Sequence, residues 1–267
     1  MILECIKDRI RSFSGKIGIY YIDLKSGESF SAGNCDVFLA SGSVKIITLV
    51  EAFKRIEEGN LSKSSSYTLN KSEFINIPYN KNKTFGALEF VHDGIKLTLE
   101  DLYRLSTAVS DNIAFNVLLR TFGIDAVNRT LDSFGFYKTR INREIYDEKK
   151  IKKGIQNYVS IEEMASLLYR MYKGQLISNV ASKEMIGVLK EHQQNSIIPY
   201  YFGETLDVAH QTGFDDGLIM DMGIVYSKNP FVLCMAAEDS NTRNAERIMR
   251  DITLICYKNS NKSEKTD

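Results

Sequence analysis

The chain has 267 residues, an apolar fraction of 43% and 34 Lys plus Arg against 34 Asp plus Glu, so it can bury a full core and carries no net charge. Balanced charge without a basic stripe argues against a nucleic-acid partner, and the lack of a long apolar run argues against a membrane span. Three histidines and four widely separated cysteines show no paired ligand spacing, so no metal and no other cofactor is expected. Cys5, Cys35, Cys234 and Cys256 read as free, buried thiols of a reducing compartment.

In chain order, Met1 to Ile10 (MILECIKDRI) interleaves charges with its apolar residues. It reads as the start of an amphipathic helix over about 2–13, not as an export leader. A cytosolic chain is the expectation, with an exported form left open. Lys16 to Leu24 reads as a strand, Lys25 to Glu28 as a turn and Ser29 to Gly33 as the returning strand. Helical patterning runs from about Ser43 to Gly59, and a stretch rich in Asn, Lys and Ser covers 60–83. Thr98 is placed to cap a helix that ends near Ser110, and helical patterning resumes from Asn112 to Phe122. Ser160-Ile161-Glu162-Glu163 is a capping-box sequence that opens a helix to about Lys173. Leu206 to Gln211, Leu218 to Ser227 and Phe231 to Ala237 read as strands, Asn241 to Tyr257 as a helix, and Lys258 to Asp267 as a polar, disordered tail.

Strands at both ends with helices between them imply an α/β architecture in one domain over residues 1–257. One antiparallel sheet is expected from about 1–40 and 200–257, with the terminal helices packed on it. An all-helical lobe, about 41–199, is inserted between the early and late strands, and a cleft lies between the lobes.

Three stretches carry the functional signal: Phe38-Leu39-Ala40-Ser41-Gly42-Ser43-Val44-Lys45, then Ser110-Asp111-Asn112, then His210-Gln211-Thr212-Gly213. In this order they resemble the S-x-x-K, S-D-N and K-T-G motifs of the class A β-lactamases and DD-peptidases, the penicillin-recognising serine enzymes. The likeness extends to Phe85-Gly86-Ala87-Leu88-Glu89, Gly94, Leu97 to Leu102 and Ser110 to Leu119, and covers roughly Gly18 to Tyr257. It implies the fold described above.

The resemblance also implies roles. Lys45 would help to remove the proton of a nucleophile three residues earlier, but that position is Gly42. Ser110 would pass a proton to the leaving nitrogen, and Asn112 would hold the substrate amide. Gln211, Thr212, Gly213 and Phe214 would form the strand along the substrate, with Gln211 where the family has a lysine. The backbone N–H groups of Gly42 and Phe214 would form the oxyanion hole. The E-x-x-L-N pattern of the deacylating carboxylate is missing between Thr139 and Glu148. Glu144 and Asp147 are the carboxylates available there, set against the reading of a solvated charged loop. With Asp215, Asp216 and Asp221 and no Lys or Arg from Gln211 to Ser227, that wall suits an anion poorly.

Two functions follow as expectations. One is a catalytically impaired homologue, a monomer, that keeps a cleft for a small-molecule or peptidoglycan-like ligand. The other is an active serine hydrolase of a cyclic amide, amide or ester that works through Ser41 or another serine. Ser41 has an acceptable angular relation to Lys45 but is expected to cap the helix, and Ser43 is turned about 100° away.

Overall fold

The computed structural model describes residues 2–70 and 86–262. Helix α1 (Ile2–Ile10) turns its apolar side, with Ile6, into the protein. Strands β1 (Lys16–Asp23) and β2 (Ser29–Gly33) form the first hairpin. Its turn is closed by the Asp23 carboxylate, which accepts the N–H groups of Lys25 and Ser26 at 2.8 Å each. Strand β3 (Val37–Leu39) leads through a 3-10 turn (Gly42–Val44) into helix α2 (Lys45–Glu57). The polar stretch read over 60–83 is described only to residue 70. There β4 (Ser66–Thr68) pairs with β5 (Lys96–Thr98).

Helix α3 (Leu99–Ala108) opens on the cap read from Thr98, reciprocated by Asp101. Helices α4 (Asn112–Phe122), α5 (Ile124–Ser133) and α6 (Glu148–Lys152) follow, and then β6 (Tyr158–Ser160), which pairs with β3. Ser160 caps helix α7 (Ile161–Tyr172) through the N–H of Glu163 at 3.2 Å. The capping box stays half-formed, because the Glu163 carboxylate accepts the N–H groups of Tyr137, Lys138 and Thr139 at 2.8, 2.9 and 2.7 Å instead. Helix α8 (Asn179–Lys190) was not read from the sequence.

Strands β7 (Val208–Asp215), β8 (Leu218–Val225) and β9 (Phe231–Glu238) and helix α9 (Thr242–Ser260) complete the chain. Strand β7 starts two residues later than its alternation suggests and continues through the third motif. The reason is residue-by-residue pairing with β8, from Val208↔Val225 to Asp215↔Leu218.

The main sheet has the order β2-β1-β9-β8-β7, antiparallel throughout. Pairing of β1 with β9 over its full length joins the two ends of the chain, as expected. Strands β8 and β9 are buried at every position, which is why they read as apolar runs: both faces of the sheet are covered. On one face α1 and α9 bury Ile6, Ile248, Met249 and Ile252 against Ile17, Ile19, Leu233 and Met235. On the other, Met220, Met222 and Cys234 meet Ile46, Leu49, Met164 and Leu168 of the helical lobe.

The last helix runs past the expected end at Tyr257. Helix α9 runs to Ser260, which is buried, with its Oγ 2.8 Å from Ser227 Oγ and its carbonyl accepting Asn229 Nδ2 at 2.8 Å. These contacts hold the last turn, and residues 263–267 lie outside the described part. All four cysteines are free, but only Cys234 and Cys256 are buried; Cys5 is exposed and Cys35 half-buried. Among the described residues no helix is long and apolar enough to cross a membrane, and no three His, Cys, Asp or Glu side chains gather as a metal site.

Candidate active site

The three motifs meet at one cavity of about 300 Å³ between the lobes. Ser41, Gly42, Lys45, Ser110, Asn112, Thr212, Gly213 and Phe214 line it; Gln211 does not. Its floor is the 3-10 turn that enters α2. A turn of helix separates Gly42 from Lys45, so both face the cleft, and Lys45 is 1% exposed.

The Lys45 ammonium is held at three points. Nζ lies 2.6 Å from the Ser110 carbonyl oxygen, 2.7 Å from Ser110 Oγ and 2.7 Å from Asn112 Oδ1. Burial pushes its pKa down to about 7, against an opposing pull from Asp111. Lys45 therefore gives up its proton readily near neutral pH.

Ser110 adopts a left-handed conformation, with φ of 56°. That turn aims both its carbonyl and its hydroxyl at Lys45. The conformation is uncommon for a residue with a Cβ and is held from the next residue. Asp111 is 1% exposed and accepts Ala87 N and Leu88 N on Oδ2 at 2.6 and 2.7 Å, and Ala114 N on Oδ1 at 2.9 Å. Burial pushes the Asp111 carboxyl up, opposed by these N–H groups and by Lys45. Gly86 makes the loop contact possible: at φ +124° its missing Cβ would stand 2.2 Å from Asp111 Oδ2.

The two serines of the first motif have other partners. Ser41 forms no side-chain cap. Its Oγ donates to the Phe214 carbonyl at 2.8 Å and ties the turn to β7. Ser43 is fully buried, with Oγ 2.9 Å from Met220 Sδ, which agrees with its helical angle.

Gly42 has lost more than a hydroxyl group. An ideal Cβ there would lie 2.6 Å from the Thr212 carbonyl oxygen, 3.3 Å from Ser110 Oγ and 3.5 Å from Gly213 Cα. Strand β7 occupies the space a side chain would need. Gly42→Ala and Gly42→Ser are each expected to lower stability by about 1–3 kcal/mol, the usual cost of forcing atoms into a packed site. Urea unfolding would measure it; an unchanged midpoint for Gly42→Ala would mean that β7 yields freely.

The third motif sits on β7, but Gln211 turns away from the cavity and is fully buried. Its amide nitrogen is 3.4 Å from the Thr212 carbonyl and its Oε1 has no hydrogen-bond partner among the described residues. The family-based reading of Gln211 as a ligand contact is therefore not supported by its position. Thr212 takes the polar role on this wall. Its Oγ1 is 2.9 Å from His192 Nε2 and 2.7 Å from Gln194 Oε1.

His192 Nδ1 is 2.7 Å from the Thr107 carbonyl, which can only accept, so Nδ1 carries the proton. Thr212 N donates to Nε2 at 3.3 Å, so the ring is neutral. Burial and the adjacent His210 push its pKa down to about 4. Where the family has a lysine charge, this wall offers uncharged hydroxyl and amide groups. His192 and Gln194 went unread in the sequence, because EHQQNS between α8 and β7 carries no motif.

Of the three carboxylates assigned to this wall, Asp215 and Asp216 are exposed at the cavity rim. Asp221 is not there. It is fully buried and bonds His210 Nδ1 at 2.9 Å and Ile198 N at 3.0 Å.

The opposite rim, from the loop before α6, brings no carboxylate inward. Glu144 pairs with Arg120 at 2.6 Å, and Asp147 caps α6 through Lys150 N at 3.0 Å. The loop contributes Arg143 and Tyr146 instead, both missed in the sequence. Tyr146 OH accepts Asn112 Nδ2 at 2.7 Å, and burial pushes its pKa up to about 12. The Arg143 guanidinium is held by Gln156 Oε1 at 2.7 Å and the Glu144 carbonyl at 3.0 Å, so a cation lines the cavity.

Known proteins share this fold. The beta-lactamase VEB-1 of Pseudomonas aeruginosa is 23% identical over 268 residues, which cover 94% of this chain and 88% of that protein. A beta-lactamase from Sphaerobacter thermophilus superposes with a TM-score of 0.84 at 23% identity, covering 97% of this chain and 95% of the other. PBP-A gives 0.84 at 22% identity with the same coverages. At these identities the superpositions establish a shared fold. The model of the beta-lactamase enzyme family matches residues 2–260. With that match spanning sheet, helical lobe and all three motifs, the chain belongs to the beta-lactamase enzyme family.

Proposed function

We propose that this protein is a catalytically impaired member of its family that keeps a cleft for a carbonyl-containing ligand of the β-lactam or peptidoglycan type. The observation that carries this is the contrast at the cleft floor. Lys45 Nζ lies within 2.7 Å of polar atoms of both Ser110 and Asn112, while position 42 lacks a side chain and Thr212 O stands 2.6 Å from where its Cβ would be. Loss of a serine nucleophile costs on the order of 10⁶-fold in a worked hydrolase case.

The ligand class is taken from relatives: two of those above are beta-lactamases by name, and a variant of the third, PBP-A, is known as an acyl-enzyme with penicillin G. The route through Ser41 has little support, because its hydroxyl donates to the Phe214 carbonyl and Lys45 Nζ is occupied by Ser110 and Asn112.

The test is calorimetric binding of penicillin G and of its hydrolysed acid, beside a hydrolysis assay. Saturable binding with no more than one equivalent of penicillin consumed is expected. Sustained hydrolysis over many equivalents would overturn the impaired reading, and absence of binding to either compound would overturn the cleft reading.

A further inference from the structure

We propose that Ser110 is a second nucleophile, able to accept an acyl group from a strained lactam or activated ester bound in this cleft and to hold it without turnover. The inference rests on the cleft reading above and adds a covalent step to it.

Three observations converge on Ser110. Its Oγ is 2.7 Å from Lys45 Nζ, within reach of a base. The same Oγ is 3.3 Å from the place a Cβ on residue 42 would take, so it lies beside the position from which the family's nucleophile would act. Ser110 also lines the cavity, together with Gly42 and Phe214, the residues whose N–H groups would polarise a carbonyl.

The hydrogen-bond pattern suits a neutral amine. Two Nζ hydrogens go to the Ser110 carbonyl at 2.6 Å and Asn112 Oδ1 at 2.7 Å, and both acceptors lack a proton to give back. The third neighbour, Ser110 Oγ, is a hydroxyl and donates into the lone pair once Lys45 is deprotonated. A lysine base paired with a serine nucleophile is a recurrent arrangement on unrelated folds. Backbone geometry keeps it in place: the left-handed Ser110 is followed by Asp111, anchored through three backbone N–H groups.

The step balances without a co-reactant. Lys45 Nζ takes the Ser110 hydroxyl proton as Oγ forms a bond to the carbonyl carbon. The carbon–nitrogen bond of the lactam breaks, and the leaving nitrogen receives the proton from Lys45. The product is a Ser110 ester that carries the ring-opened amine, with Lys45 neutral again; from an activated ester the leaving oxygen takes the proton and departs as an alcohol. Hydrolysis of the ester needs a water and a base. Glu144 and Asp147, the carboxylates of the adjacent loop, are bound to Arg120 and to the N-terminus of α6, so the ester persists.

The experiment is intact-protein mass after prolonged incubation of the full chain with excess penicillin G, followed by peptide mapping and treatment with neutral hydroxylamine. One adduct is expected, on the peptide holding Ser110, released by hydroxylamine as an ester is and a lysine amide is not. It should be lost in Ser110→Ala and retained in Ser41→Ala. Mapping on the native chain stands even where Ser110→Ala fails to fold. An adduct on Ser41, on Lys45 or on any other residue overturns the proposal, as does no adduct at all. Calorimetric binding of the hydrolysed acid, run in parallel, separates the two failures: binding without an adduct sinks the Ser110 step alone, and no binding sinks the cleft reading with it.

Discussion

Asp111→Ala is expected to lower the stability of this protein by about 3–5 kcal/mol, because among the described residues the carboxyl group is the partner of two buried N–H donors, Leu88 N and Ala114 N, and of the part-buried Ala87 N. Ala87 N and Leu88 N share Oδ2, and Ala114 N, in the first turn of α4, takes Oδ1. The substitution leaves the two buried donors unsatisfied and removes the cap of α4. Asp111→Asn should lose a large part of the same stability. Its amide offers one accepting oxygen, and its NH2 group would face N–H donors on one side. Urea midpoints for the two variants would measure this. A loss below about 1 kcal/mol in Asp111→Ala would show that water reaches these donors. Since a domain holds only about 5–15 kcal/mol in total, the middle residue of the second motif is expected to matter as much for folding as its neighbours do for chemistry.

Stability is also expected to rise with pH across neutrality through Lys45. Its pKa falls from 10.5 to about 7 on folding, with burial as the cause. Between these values the unfolded chain binds the proton and the folded protein does not, so unfolding takes up a proton and the folded state gains as pH rises. Below about 7 both states are protonated and the cost of the buried charge is felt in full. The gain is about 1.4 kcal/mol per pH unit, or roughly 2 kcal/mol between about pH 7 and about pH 8.5. His192, neutral in the fold above its pKa of about 4, adds no folded-state change in that window. Lys45→Met should flatten this slope even though it leaves Ser110 and Asn112 without their donor. Equal slopes in the two proteins would mean that Lys45 keeps its proton in the fold.

Much of the site was readable from residue order. S-x-x-K spacing puts positions 42 and 45 on one side of a helix whatever surrounds them, and S-D-N breaks a helix wherever it occurs between two apolar periodic runs. Thr98 and Ser160 announced helix starts by side-chain chemistry that acts over three residues. Central strands β8 and β9 announced themselves by apolar runs. The later end of α9, by contrast, depends on Ser260 meeting Ser227 and Asn229 from a distant loop, and nothing in the polar stretch after Tyr257 encodes that meeting.

The parts of the cleft that bear most on function came from such distant meetings. Residue types alone show that Gly42 has no hydroxyl and that Gln211 has no charge. They do not show that Gln211 points away from the cavity, that His192 and Gln194 support Thr212, or that Arg143 and Tyr146 form the far rim. Nor do they show that β7 fills the space beside Gly42, which follows from pairing with β8 and from the Ser41 bond to Phe214 across 173 residues of chain. Helix caps, strand alternation and motif spacing are local and survive in the order of residues. Burial of Lys45, its contacts with Ser110 and the crowding at position 42 arise where separate segments pack, so they are properties of the assembled fold.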